Sequence, residues 1–152
     1  MQSNVPGILG DIVKVAVGCD HGGIDLKNTV ISVLTELGHE VDDQGCHSEE
    51  SVDYPDFANS VGKLVKEGKC RCGILICGTG IGMSMAANRI PGIRAALCNE
   101  MFSAKMSREH NDANILCLGA RVIGPALAAE IVRTWMATDF AGGRHQRRID
   151  MF

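Results

Sequence analysis

Excess positive charge, aromatic residues and long apolar runs are all scarce in this chain. Aromatics make up 4% of its 152 residues and the formal net charge is −3. That balance carries no electrostatic footprint for nucleic acid. No apolar run approaches the roughly 20 residues of a membrane-spanning helix. Met1 to Gly10 lacks the charged, apolar and small-residue order of a secretory signal. The seven cysteines are odd in number and include no C-x-x-C pair. Cys70 and Cys72 stand two apart, a spacing that shares a strand face but makes no zinc knuckle. Several cysteines lie in or beside apolar runs, where a reduced thiol packs as a small hydrophobe. Nor is there a P-loop lysine, or a G-x-G-x-x-G run behind the first strand. These absences set aside nucleic-acid, membrane, P-loop and disulfide- or zinc-stapled classes. They leave a cytoplasmic globular protein.

What is present is alternation. The length suits a single domain over residues 1–152 with a full core. Residues 1–12 read as a loose leader and 141–152 as a tail. Val15–Cys19 reads as a buried strand. Leu26, Val30, Val33, Leu34 and Leu37 then follow helical spacing up to Gly38. Glu40–Asp42 is a weak strand. Tyr54–Lys66 is helical through Phe57, Val61, Leu64 and Val65, with Pro55 tolerated near its start. Strands at Ile74–Cys77, Arg94–Cys98 and Ile115–Leu118 alternate with helices near Met83–Asn88, Met101–Arg108 and Pro125–Met136. Continuous apolar strands between helices predict an α/β, Rossmann-like three-layer sandwich around a five-stranded parallel sheet.

In such a sheet ligands bind beyond the carboxyl ends of the strands. Two segments fall there. Ile74-Leu75-Ile76-Cys77 runs into Gly78-Thr79-Gly80-Ile81-Gly82, which offers a thiol, a hydroxyl and a turn whose N–H groups suit an anion. Cys19-Asp20-His21-Gly22-Gly23 follows the first strand and offers a carboxylate and an imidazole; a plain alternative makes Asp20 a helix cap. Arg108-Glu109-His110-Asn111-Asp112 precedes the last strand, where His110 taken alone reads first as a surface cation at a helix C-terminus. The tail carries Gly142-Gly143-Arg144-His145-Gln146-Arg147-Arg148. Its guanidinium forks suit phosphate, or form a solvated basic end.

Taken with Asp53-Tyr54-Pro55 and Gly92-Ile93-Arg94-Ala95, these segments stand in one order from Lys14 to Arg148. In that order and at those separations they closely resemble the ribose-5-phosphate isomerase B family, grouped with the galactose-6-phosphate isomerases. The resemblance implies an aldose–ketose isomerase without metal or cofactor, interconverting ribose 5-phosphate and ribulose 5-phosphate through a cis-enediolate. By that resemblance Cys77 is the base that moves a proton between C2 and C1. Thr79 assists proton exchange at the substrate oxygens, and the amides of Gly78, Gly80, Ile81 and Gly82 belong to an anion hole. His110 opens the furanose ring with Asp20 assisting. His21, Arg144 and Arg148 match phosphate ligands, with Arg121 joining them, and Tyr54 and Asn111 match substrate contacts.

The family's sites lie at a dimer interface, so the resemblance also implies a homodimer with shared active sites, or a tetramer built from it. The expected geometry is specific. Cys77, Asp20 and His110 line one cleft, and Arg144 and Arg148 reach it from a partner chain. A thiol at a helix N-terminus is shifted towards thiolate, as a general base requires. Two rivals remain: an isomerase of a hexose 6-phosphate of the allose or galactose type, and a non-catalytic sugar-phosphate sensor on the same fold. The second is expected to lose Cys77, Thr79 or His110, and the chain has all three.

Overall fold

A computed structural model describes residues 12–152. The leader expected over 1–12 falls outside them except for Ile12. Five strands carry the fold: β1 Lys14–Cys19, β2 Glu40–Asp43, β3 Cys72–Cys77, β4 Ala95–Leu97 and β5 Ile115–Gly119. They form one sheet in the order β2-β1-β3-β5-β4, with every pairing parallel. The helices are α1 Ile24–Glu36, α2 Tyr54–Lys66, α3 Ile81–Ala87, α4 Met101–Glu109, α5 Pro125–Met136 and α6 Arg144–Ile149.

Alternate residues of β1, β3 and β5 feed two cores. Val15 and Val17 of β1, Ile74 and Ile76 of β3, and Leu116 and Leu118 of β5 pack with Val30 and Leu34 of α1 and Ile131 and Trp135 of α5. Ala16, Leu75, Ile115 and Cys117 face the other way, against Ala58 and Val61 of α2 and Met83 and Ala87 of α3. β3 is buried along its whole length, which its unbroken apolar run requires. The three-layer sandwich follows from these two apolar faces.

The strand order fixes where a site can form. From β1 the chain leaves through α1 towards β2, on one face of the sheet. From the adjacent β3 it leaves through α3 on the opposite face, towards β4. The carboxyl ends of β1 and β3 therefore part into a crevice, the switch point at which open α/β sheets take ligands. The register brings Cys19 opposite Ile76 and Cys77 opposite Gly119, so both expected segments open there.

Most boundaries differ from the sequence expectation by a residue or two, α3 for one starting at Ile81 instead of Met83, and three differences have a visible cause. β3 starts at Cys72, because Cys72 and Gly73 already pair with β1. β4 spans only Ala95–Leu97; Arg94 turns out of the strand, its N–H on the Asn114 side chain at 2.8 Å. The tail contains a helix, α6, anchored by the buried Ile149.

Candidate active site

The crevice holds an open cleft of about 440 Å³ lined by Asp20, Tyr54, Cys77, Gly78, Thr79, Ile81, Gly82 and Met85. Asp20 does not cap α1. Its Oδ1 accepts the Gly22 N–H at 3.0 Å, and the N-cap of α1 is Gly23, with no side-chain bond. This turn leaves the carboxylate at the sheet edge. His21 beside it accepts the Val52 N–H on Nδ1 at 3.2 Å, so a neutral ring carries its proton on Nε2. The same contact ties the β1 loop to the segment leading into α2, where Tyr54 is the first residue.

Cys77 ends β3 with 5% exposure. Its Sγ accepts the Gly80 N–H at 3.2 Å, which gives negative charge on sulfur a hydrogen-bond donor. The Ile81 N–H is also taken within the loop, by Thr79 Oγ1 at 3.2 Å. Two of the amides expected in an anion hole thus hold the thiol and the hydroxyl in place. Gly80 itself has φ +79°, and a Cβ there would meet Leu97 Cδ1 at 2.5 Å and the Leu118 carbonyl carbon at 3.0 Å. Gly82 lies under the Tyr54 phenol, whose Cζ would stand 2.6 Å from an added Cβ. Only glycine gives the turn its left-handed step at Gly80 and lets Tyr54 roof the cleft at Gly82.

Arg121 follows β5 and closes the crevice. Its N–H donates to the Gly78 carbonyl at 2.9 Å, and the Ala120 N–H to that of Cys77 at 2.9 Å. The Arg121 side chain lies along Gly78, its Cδ 3.6 Å from where a Cβ would sit. Its guanidinium reaches towards Gly22, where Asp20 Oδ1 also converges. A cation therefore spans the two loops beside the cleft, well placed for an anionic end of a ligand.

The remaining cysteines are of a different kind. Burial pushes the Cys72 thiol to about 12 and that of Cys98 to about 11, and drives Cys117 upward as well. Cys19 is pushed to about 12 by burial and then by the nearby Cys46. All seven cysteines are unpaired. These four are thiols at neutral pH and behave as core residues.

His110 does not line the cleft, contrary to the expectation that it joins Asp20 and Cys77 there. The reason is connectivity. β4 ends at the carboxyl edge of the sheet, and α4 carries the chain back to the amino edge before β5 begins. His110, the C-cap of α4, thus sits at the foot of β5 while Cys77 sits beside its top. Five strand residues separate the two edges by about 16 Å at roughly 3.3 Å per residue. The Ala141 N–H donates to the Glu109 carbonyl at 2.9 Å, which brings α6 to the same edge. So Asn111, Arg144 and Arg148, all exposed, belong with His110 and away from Cys77.

This second group rests on an anchor that the sequence reading passed over. Arg108, fully buried, donates to Asp112 Oδ1 at 2.9 Å and lies 5.5 Å over the Trp135 ring. Arg94 donates to Asp112 Oδ2 at 3.3 Å from the other side. Asp112 takes φ +45°, which bends the chain between His110 and β5. The motif Arg108-Glu109-His110-Asn111-Asp112 thus divides its work, its ends holding the turn and its middle displayed. The one available signal was the pairing of Arg108 with Asp112 at i, i+4. The structure also adds Met85 to the cleft wall and stacks His145 on His110, their centroids 4.2 Å apart.

Known proteins share this sequence and fold. The Ribose/Galactose Isomerase family model matches residues 15–152. Ribose-5-phosphate isomerase B of Escherichia coli is 50% identical over 137 residues, covering 90% of this chain and 92% of the relative. The structure of ribose-5-phosphate isomerase B from Clostridium thermocellum superposes with a TM-score of 0.89 at 55% identity, covering 91% of this chain and 93% of that one. The type B ribose 5-phosphate isomerase of Trypanosoma brucei gives 0.90 at 46% identity, over 93% and 97%.

Proposed function

The chain belongs to the ribose/galactose isomerase family, which makes it an aldose–ketose isomerase, and on that premise we propose how its residues interconvert ribose 5-phosphate and ribulose 5-phosphate. The observation that carries the proposal is the convergence of Cys77, Thr79, Asp20 and Tyr54 on one cleft, with Arg121 at its side. Cys77 Sγ takes the proton from C2 of the open-chain aldose and delivers one to C1, the thiol proton exchanging with solvent in the open cleft between the two transfers. Between the two transfers the substrate is a cis-enediolate. Thr79 Oγ1 exchanges protons with O1 and O2. Charge that appears only in the enediolate is met by the loop's other N–H groups, since those of Gly80 and Ile81 hold the thiol and the hydroxyl; one oriented donor is worth about 3–4 kcal/mol in the transition state. Tyr54 covers the sugar. His21 and Arg121 receive the phosphate, and binding at that remote end orients the reacting carbons.

The second group acts in the cleft of a second copy. His110 protonates or deprotonates the ring oxygens with Asp20 opposite, Asn111 holds a hydroxyl, and Arg144 and Arg148 complete the phosphate site from the tail. Two observations support this division. The two groups lie at opposite edges of one sheet, and five strand residues at roughly 3.3 Å each span about 16 Å, further than one pentose phosphate reaches. The cleft rim is also apolar and open, with Ile81 47% and Met85 66% exposed, as a face covered by another copy would be. A twofold pairing then makes two identical composite sites. A single domain in a homodimer of the cytoplasm is the assembly we assign; unpaired cysteines suit that reducing compartment.

The test is ribulose 5-phosphate formation from ribose 5-phosphate with a chelator present throughout. Steady turnover is expected. Turnover confined to a hexose 6-phosphate would move the assignment to that branch, and absence of turnover by folded dimer would overturn it.

A further inference from the structure

His145 has no role in the account so far, yet it makes the closest ring contact in the second group. Its imidazole lies flat on that of His110, with centroids 4.2 Å apart and planes within 11°. The arrangement is held from both sides. Gly142 and Gly143 take φ +67° and +57° and turn the chain into α6, where His145 is the second residue. Ala141 is bonded to the Glu109 carbonyl at 2.9 Å, and the buried Ile149 seats the far end of the helix. His110 needs such a support. It closes α4 through its N–H on the Met106 carbonyl at 2.8 Å, while its side chain is 40% exposed and meets Glu109 only at 3.8 Å.

We propose that His145 is a positioning residue for His110: the stacked ring fixes the plane of the His110 imidazole, and so the direction in which its nitrogens meet the sugar ring oxygen. The inference rests on the reading of His110 as the ring-opening group. The charges around the pair are compatible with the stack. Burial, then His110, Arg144 and Arg148, hold His145 below the ordinary histidine range, against an opposing pull from Glu109. A neutral His145 lets two imidazoles lie face to face without like-charge repulsion, and it leaves proton exchange to His110. Its neighbours Arg144 and Arg148 point to phosphate binding. The two kinds of role separate in kinetics.

The experiment measures kcat and KM on ribose 5-phosphate for His145→Ala, His145→Phe, His110→Ala and the double alanine variant, with thermal midpoints and dimer content as controls. Loss of orientation should lower kcat of His145→Ala by roughly tenfold to a hundredfold, with KM within about twofold. His145→Phe keeps a flat ring and should recover most of that loss. In the His110→Ala background, His145→Ala should cost less than about twofold more, because the group it positions is gone. A raised KM with kcat intact would overturn the inference in favour of phosphate binding. An equal loss in both backgrounds would overturn it too, as would a phenylalanine variant that folds but is no better than alanine. Wild-type activity of His110→Ala is a different result: it removes the ring-opening role of His110, and this inference with it.

Discussion

Substituting alanine at Gly80 tests whether the loop behind Cys77 is as constrained as its contacts imply. Gly80 has φ +79°, a backbone state that costs an L-residue roughly 1–2 kcal/mol. The new Cβ would also stand 2.5 Å from Leu97 Cδ1, 3.0 Å from the Leu118 carbonyl carbon and 3.1 Å from its oxygen. Leu97 can turn aside, but Leu118 is backbone inside β5 and cannot. Overpacking of this kind adds about 1–3 kcal/mol. The sum, roughly 2–5 kcal/mol, corresponds to a fall in thermal midpoint of roughly 5–20 °C for a chain of this size. Relief by lifting the loop would take the Gly80 N–H off Cys77 Sγ, now 3.2 Å away. That removes the donor that steadies the thiol and should lower kcat. Thermal denaturation and steady-state isomerisation of Gly80→Ala read both effects. A variant with unchanged midpoint and unchanged kcat would refute the reasoning, because it would show the loop free to move without cost.

Other perturbations address the anchor, the tail and the far side of the sheet. Asp112→Ala leaves the fully buried Arg108 without its carboxylate and should cost about 3–5 kcal/mol, read by urea denaturation; a loss under about 1 kcal/mol would show the pair to be dispensable. Arg148→Ala removes a charged contact to phosphate and should raise KM about 10–100-fold with little change in kcat; an unchanged KM takes Arg148 out of the phosphate site. The Lys27–Asp43 pair makes a pH prediction. Burial raises the Asp43 carboxyl, but the Lys27 ammonium at 2.8 Å, the Gly45 N–H and the charge of His47 outweigh it and hold the group below the usual carboxylate range. A depressed folded value contributes stability above the unfolded value of about 3.9 and loses it as pH falls through the folded one. The gap in thermal midpoint between the wild type and Asp43→Asn should therefore be constant near neutrality and close in acid. A gap that stays constant through the whole acid range would mean the contact does not depend on charge.

The layers were legible because apolar runs and helical spacing record burial directly, and Tyr54–Lys66 and Pro125–Met136 match to the residue. The cleft was half legible. Asp20 and Cys77 follow apolar strands, and the strand-end rule brings both to one edge. What the sequence does not record is which edge a later segment reaches. His110 precedes a strand rather than following one, and that position, read with the crossover, puts it at the opposite end of the sheet. Arg108 was hidden for another reason: a charged side chain gives no sign that it will be buried until Asp112 and Trp135 are seen around it. Residues 141–152 read only as a tail, yet one apolar residue, Ile149, is enough to seat a short helix there.

The central claim is that the Cys77 thiol moves the proton between C2 and C1. The most direct measurement follows deuterium from D₂O into ribose 5-phosphate and ribulose 5-phosphate by NMR, for the wild type and for Cys77→Ala, with binding of a non-reacting sugar phosphate measured alongside. The account predicts incorporation by the wild type, none by Cys77→Ala, and binding within about threefold in both. Undiminished exchange by folded Cys77→Ala would contradict it, and would assign the base to another residue of the cleft.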